Sequence, residues 1–162
     1  MTTSGTRLLT LWRRCRRLPA GMDLFSRLLA RRVPYSGSIK PRVLALEPGH
    51  ARVALKDSRR VRNHLGSVHA IALANLAELA SGLAMMTALP AGVRGIVVRL
   101  TIDYVKKARG PLIATGYAVI PPIGEAAIEQ EFVSEITDMD DDVVAHATVR
   151  WRLAPAPYGR AE

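Results

Sequence analysis

The side chain best suited to chemistry is Glu78, a carboxylate in the middle of an Ala-, Leu-, Ile- and Met-rich run from Ser67 to Leu89. The run reads as one long helix, apolar on nearly every side. A carboxylate buried there is costly unless it is paired, neutralised or used. If used, it can deprotonate a water or attack a carbonyl carbon, provided that donors await the developing oxyanion. The start of the same helix, at His69 and Ala70, offers N–H groups without intrahelical acceptors at the positive end of the helix dipole. Asn63 stands just upstream and can position a water or a substrate. Each residue also has a plainer reading: Glu78 as an ion pair with an Arg or Lys of a partner subunit, His69 as a helix-start histidine satisfied by backbone, Asn63 as a cap or turn before Gly66.

The remaining elements must position these groups. A helix of this length spans roughly 30 Å, but His69, Asn75, Glu78 and the high Ala content favour burial in protein over a membrane span. Ahead of it, Ile39 to Leu46 and Ala51 to Lys56 read as a hairpin turning at Pro48-Gly49, and Ser58 to Asn63 as a polar, basic connector. After Pro90 and Gly92 the period changes to two. Val98, Leu100, Ile102 and Tyr104 alternate with Arg99, Thr101 and Asp103, and Leu112 to Ile120 lies between Gly110-Pro111 and Pro121-Pro122. Ile128, Phe132 and Ile136 oppose Glu129, Glu131 and Glu135, and Val143 to Leu153 alternates with His146, Thr148, Arg150 and Arg152. Each segment predicts a strand with one dry face. Asp138, Asp140 and Asp142 begin like a calcium loop, but Val143 and Val149 stand where Gly and Glu are needed, which favours an acidic turn.

At the other end, Thr6 to Leu18 and Met22 to Arg32 read as two short helices separated by Pro19-Ala20-Gly21 and stopped before Pro34. In the first, Leu8, Leu9, Leu11, Trp12, Cys15 and Leu18 share a side opposite most of the Arg. The class is α+β. An antiparallel sheet with one apolar face can bury a helix that is apolar nearly all round only by curling about it. The expected organisation is a basic amphipathic helical extension over 1–34, a sheet-and-helix domain over 35–154 and a flexible tail over 155–162.

Charge distribution narrows the partners. The chain of 162 residues carries +9, but residues 1–32 hold eight Arg against Asp23 alone, leaving only +2 for the rest. The basic stretch has neither interleaved stacking aromatics nor a nucleic-acid reading motif, so nucleic acid is not an expected partner. Three readings fit it: helices packed on the domain, a peripheral anchor on anionic lipid, or an Arg-rich targeting peptide. The single Cys15 makes no internal disulfide, no Cys or His pair has metal-ligand spacing, and the Arg run interrupts any secretory apolar stretch. A cytoplasmic protein without a metal is the expectation, peripheral to the membrane if the second reading holds. Phosphate-cradling Gly loops, nucleophile elbows and HExxH helices are absent.

Asn63-His64-Leu65-Gly66-Ser67-Val68-His69 followed by Ala77-Glu78 resembles the signature of hotdog-fold thioesterases of the phenylacetate-pathway type. Tyr104 to Gly110 is similar to the segment after their first post-helix strand, and the likeness runs over roughly Tyr35 to Leu153. It looks closest to a branch with a basic N-terminal helical extension. The resemblance implies a hotdog fold, with a curved antiparallel sheet wrapped around a long central helix and two short helices in front. It implies hydrolysis of an acyl thioester by Glu78 as base or nucleophile, with Asn63 positioning and the Ala70 N–H binding the thioester oxygen. Coenzyme A would enter only as part of the substrate, its phosphates met by Lys106, Lys107, Arg109 and Arg59. A homodimer or dimer of dimers follows, because the site in such proteins lies between subunits. This chain departs in having Ala70-Ile71 for Gly-Gly and Glu78 for the commoner Asp. The rival expectation is a non-catalytic hotdog module that binds acyl-CoA or a lipid-like ligand.

Overall fold

The computed structural model describes residues 3–156. Three helices, α1 (Ser4–Cys15), α2 (Gly21–Arg32) and the four-residue α3 (Pro34–Gly37), precede the hairpin of β1 (Arg42–Glu47) and β2 (His50–Leu55). A 3-10 turn, Arg59–Val61, leads to the central helix α4 (Ala70–Ala88). Four strands follow: β3 (Val93–Tyr104), β4 (Leu112–Tyr117), β5 (Ile128–Thr137) and β6 (Val143–Pro155). They form one antiparallel sheet in the order β1-β2-β4-β5-β6-β3. This α+β arrangement, a sheet packed on one long helix, is the one expected.

Boundaries moved where the backbone was needed elsewhere. Strand β1 starts at Arg42 instead of Ile39, because Lys40 adopts a left-handed φ of 53° and no strand can run through it. Helix α4 starts at Ala70 instead of Ser67: Ser67 and Val68 bond to neighbouring loops and His69 becomes the N-cap. At the other end β6 runs through Pro155, and Ala156 donates to Gly92 O; the remainder of the expected tail, 157–162, lies outside the described residues.

Helix α4 is long and apolar enough to cross a membrane, yet two-thirds of that stretch is buried inside the protein. Leu76, Ala77, Ala80 and Ala84 are fully buried against Val53, Leu55, Leu112, Ala114, Ile136, Val149 and Leu153 of the sheet. The many Ala residues are what permit the fit. Where β4 crosses the helix, a Cβ on Gly116 would lie 2.4 Å from Ala80 O and 2.8 Å from Ser81 N, so only Gly lets the two backbones approach this closely. At the C-terminus of α4, Thr87 Oγ1 donates to backbone carbonyls and accepts from Gly49 N, pinning the helix to the β1–β2 hairpin.

The two N-terminal helices belong to this core. Leu9, Trp12 and Cys15 of α1 and Phe25 of α2 are buried, with Trp12 and Phe25 in edge-to-face contact at 5.0 Å. Each ring contributes about 1.5–3 kcal/mol by leaving water. The apolar stripe available to a lipid anchor is therefore turned inward, and Leu11 and Leu18 alone of the expected stripe are exposed. The eight Arg of residues 1–32 point to solvent. Ser26 Oγ of α2 accepts from Val43 N and so closes part of the β1 edge.

The outer face of β5–β6 shows why acidic and basic residues alternated in the sequence: Glu129 lies opposite Arg152, Glu131 opposite Arg150 and Glu135 opposite His146, each within ion-pair distance. The edge strand β3 departs from expectation. A bulge at Val98 breaks its alternation, and of the residues expected to be dry Val98, Leu100 and Tyr104 are exposed, as is Ile96 before them. Among the described residues no further strand covers them.

Gly116→Ala is expected to lower unfolding free energy by about 3 kcal/mol or more, as overpacking against backbone does. Gly124→Ala, where a Cβ meets nothing within 4 Å, is expected to change it by less than about 0.5 kcal/mol. Urea denaturation of both checks this.

Candidate active site

Two loops build a platform for the start of α4. Asp57 joins them: one carboxylate oxygen accepts from Arg62 Nε at 2.6 Å and the other from Gly110 N at 2.9 Å. The bond from Arg62 is the main reason its pKa lies below the ordinary value. Val68 N donates to Ala108 O, and His69 N to Val61 O, completing the join. Asn63 is absorbed by its own turn. Its Oδ1 accepts from Leu65 N at 2.9 Å and Ser67 N at 3.2 Å, its Nδ2 meets Ser67 Oγ at 3.0 Å, and Gly66 closes the turn at φ 70°. The amide thus shapes the approach to the helix, and it makes no bond to Glu78.

At the helix start, His69 Nδ1 accepts from Ile71 N at 3.1 Å, which places the proton of the neutral ring on Nε2. Ala72 N and Leu73 N both donate to His69 O. The Ala70 N–H is left as the one first-turn donor without an acceptor among the described residues. Tyr104 Oη of β3 donates to Ala70 O at 3.1 Å and ties the open sheet edge to this turn. A cavity of about 340 Å³ beside it is lined by Tyr35, Arg60, His69, Ile71 and Asn75, among others.

Glu78 is half-buried and makes no hydrogen bond or ion pair among the described residues; loss of water raises its pKa above the ordinary glutamate value. A Cβ on Gly82, one turn further along, would lie 3.8 Å from Glu78 Oε1 and 3.3 Å from two ring carbons of Trp151. The absent side chain leaves the carboxylate open beside an aromatic wall. Trp151 is held there by donating from Nε1 to the fully buried Ser81 Oγ at 3.2 Å.

The residues of α4 that are not buried are Ala70, Ile71, Ala74, Glu78, Gly82, Met86 and Ala88. Spacings of three and four make this one strip along the helix. Sheet and N-terminal helices cover every other side. Ala70 and Glu78 share that strip but stand about 12 Å apart in rise, too far for one carbonyl group to meet both within a single chain.

The four basic candidates differ. Lys106 is held by Asp138 at 2.8 Å and Asp142 at 2.6 Å, so its charge is already partnered and its pKa is raised by these bonds. The acidic turn that includes Asp138, Asp140 and Asp142 is closed by these contacts and by backbone bonds to Asp138 Oδ1. Lys107, Arg109 and Arg59 are exposed and make no ion pair among the described residues. No three His, Cys, Asp or Glu side chains gather as for a metal among those residues. Sequence reasoning missed Asp57, Tyr104, Ser81 and Trp151 as parts of the site. The small pair Ser81-Gly82, one turn after an apolar-helix carboxylate, was the available sign of a ring packed there.

A six-stranded antiparallel sheet curved around one helix is the hotdog fold, and solved structures with this fold include several named as thioesterases. The chain belongs to the family described as Domain of unknown function (DUF4442), whose profile matches residues 21–153. No curated protein matches it. A crystal structure from a genomics project is 31% identical over 93% of this chain and 99% of its own, with a TM-score of 0.78. A Pseudomonas aeruginosa protein of unknown function, a probable thioesterase, is 23% identical over 85% of this chain and 97% of its own, with a TM-score of 0.71. A hypothetical thioesterase from Streptococcus pneumoniae, crystallised with coenzyme A, is 20% identical over 78% and 98%, with a TM-score of 0.64.

Burial raises the Glu78 pKa in the folded chain, so stability is full below the ordinary glutamate range and is lost as pH rises through the raised value. Glu78→Gln removes the charge. The variant is expected to melt above the parent near neutrality, with the gap closing in mild acid; a gap independent of pH would rule out the buried charge as its cause.

Proposed function

We propose that this protein is an acyl-CoA thioesterase whose active site forms between two copies. The observation that carries the proposal is the open strip of α4, with an unpartnered carboxylate at its middle and an unpartnered N–H donor at its start. An antiparallel pairing of two such strips about an axis at Ala74 sets Ala70 of one copy beside Glu78 of the other. Ala74 is small enough to let the helices approach. The same pairing gives a neighbour to β3, whose open edge exposes Ile96, Val98, Leu100 and Tyr104 and would otherwise invite aggregation. Isologous pairing of this kind produces two equal sites per dimer.

In each site the acyl carbonyl oxygen faces the Ala70 N–H at the positive end of the helix. Ionised Glu78 takes a proton from water as the water oxygen adds to the carbonyl carbon, or itself adds to that carbon, to be released by water only after the sulfur has left. The C–S bond then breaks, the sulfur leaves as thiolate and takes up a proton, and the acid product departs as carboxylate. Both routes require the ionised form, so kcat/KM should rise with pH through a value above the ordinary glutamate range. Lys107, Arg109 and Arg59 are the cations free to meet the phosphates of coenzyme A. The coenzyme A complex of the Streptococcus pneumoniae relative supports that ligand class.

Against a panel of acyl-CoAs, Glu78→Gln and Glu78→Ala are expected to lower kcat about 10²–10⁴-fold. Ala70→Pro deletes only the N–H, at a first helical position where Pro is well accepted, after a residue that is already extended. It is expected to lower kcat about 10²–10³-fold with the fold intact. Mixing Ala70→Pro with Glu78→Gln chains should restore activity, because the mixed dimer holds one complete site. Unchanged turnover in Glu78→Gln would end the assignment. Acyl-CoA binding without turnover by the parent chain would leave the non-catalytic hotdog module, the reading that replacement of Gly-Gly by Ala70-Ile71 favours.

A further inference from the structure

A second cavity lies away from α4, between α2 and the start of β1, as a groove of about 810 Å³ that also takes in the end of β2 and Pro111. That volume falls within the roughly 300–1,000 Å³ of ordinary ligand sites. Arg27, Arg31, Lys40 and Lys56 line it; all four are exposed and none has an ion-pair partner among the described residues. The single acid in the lining, Asp23, is bound to Arg42 at 2.6 Å, so that pair cancels and the four cations stand uncompensated. The lining also includes the apolar Ala30, Leu55 and Pro111.

We propose that this groove binds a phosphate monoester carried on an acyl chain, at a site separate from the α4 strip. A cluster of Arg and Lys favours a doubly charged phosphate, which Arg can grip with two parallel N–H donors. The apolar part of the lining accommodates the chain beside it. The position of Lys40 is built in: its N–H donates to Gly37 O at 3.0 Å and its φ of 53° is one that residues with a Cβ rarely adopt, which brings it to the groove wall. Every lining residue lies within the span that matches the family profile, whereas Arg7, Arg13, Arg14, Arg16 and Arg17 of the N-terminal basic segment lie outside it.

Isothermal titration of the full chain with a short-chain lysophosphatidic acid, kept below its critical micelle concentration, tests the site. One molecule per chain is expected to bind saturably, and glycerol 3-phosphate, which offers the head alone, at least about tenfold more weakly. Arg27→Ala/Arg31→Ala should weaken the lipid at least about tenfold, as should Lys40→Gln/Lys56→Gln. Arg13→Ala/Arg14→Ala removes the same charge from α1 and should leave binding unchanged; matched melting temperatures verify that all variants are folded. The proposal is overturned by absence of binding, by equal binding of the head alone, by equal weakening in the α1 variant, or by association only with anionic phospholipid vesicles, which would mark a membrane-facing surface instead. None of these readouts depends on thioester hydrolysis.

Discussion

Everything in this molecule depends on how closely a curved sheet can approach one helix. Helix α4 has hardly any polar residue to turn toward water, so it must be covered, and only a backbone-to-backbone approach such as that of Gly116 to Ala80 lets six strands wrap it. Small residues on the helix serve the sheet, and large ones on the strands fill the remaining space. Trp12 and Phe25 extend the cover over α1 and α2, which makes the N-terminal helices part of the core. The wrapping ends at one strip, where the sheet stops at β3 and no element among the described residues takes over.

That uncovered strip gives Glu78 its character. A carboxylate on the solvent face of a helix would be hydrated, and one under the sheet would be protonated or ion-paired. Glu78 is between these limits: enough water is removed to raise its pKa, and no cation among the described residues neutralises it. The packing of Trp151 on Gly82, fixed by its bond to Ser81, sets how much solvent reaches the carboxylate. The helix start is shaped by a similar restriction of partners. His69 supplies acceptors for the N–H groups of Ile71, Ala72 and Leu73, which leaves that of Ala70 without a partner among the described residues.

Charged residues that resembled ligand contacts divide into structural and free once their partners are known. Lys106 closes the acidic turn after β5, and Arg62 joins Asp57 in holding two loops together. Lys107, Arg109 and Arg59 remain available. The N-terminal Arg residues likewise divide, because Arg27 and Arg31 alone among them line a defined groove with cations from elsewhere in the chain.

The central helix, the alternation of β5 and β6, the two leading helices and the position of Glu78 among apolar residues were all legible in the sequence, because helical and strand periods are local properties of the chain. Asn63 and His69 were also visible as special, and their plainer readings, a turn and a helix cap, describe their bonds in the chain. The exposed face of β3 and the late starts of β1 and α4 were not legible: a bulge, a left-handed Lys40 and a capping histidine depend on which distant backbone groups need partners. Nor could sequence spacing show that Ala70 and Glu78, though on one face of one helix, are too far apart to act together in one chain. Sequence determined that one long apolar helix runs through the middle of the chain and that Glu78 lies on it. Tertiary structure decided which strip stays open and which donors and charges remain unpartnered, because burial and hydrogen bonding are settled among residues far apart in the chain.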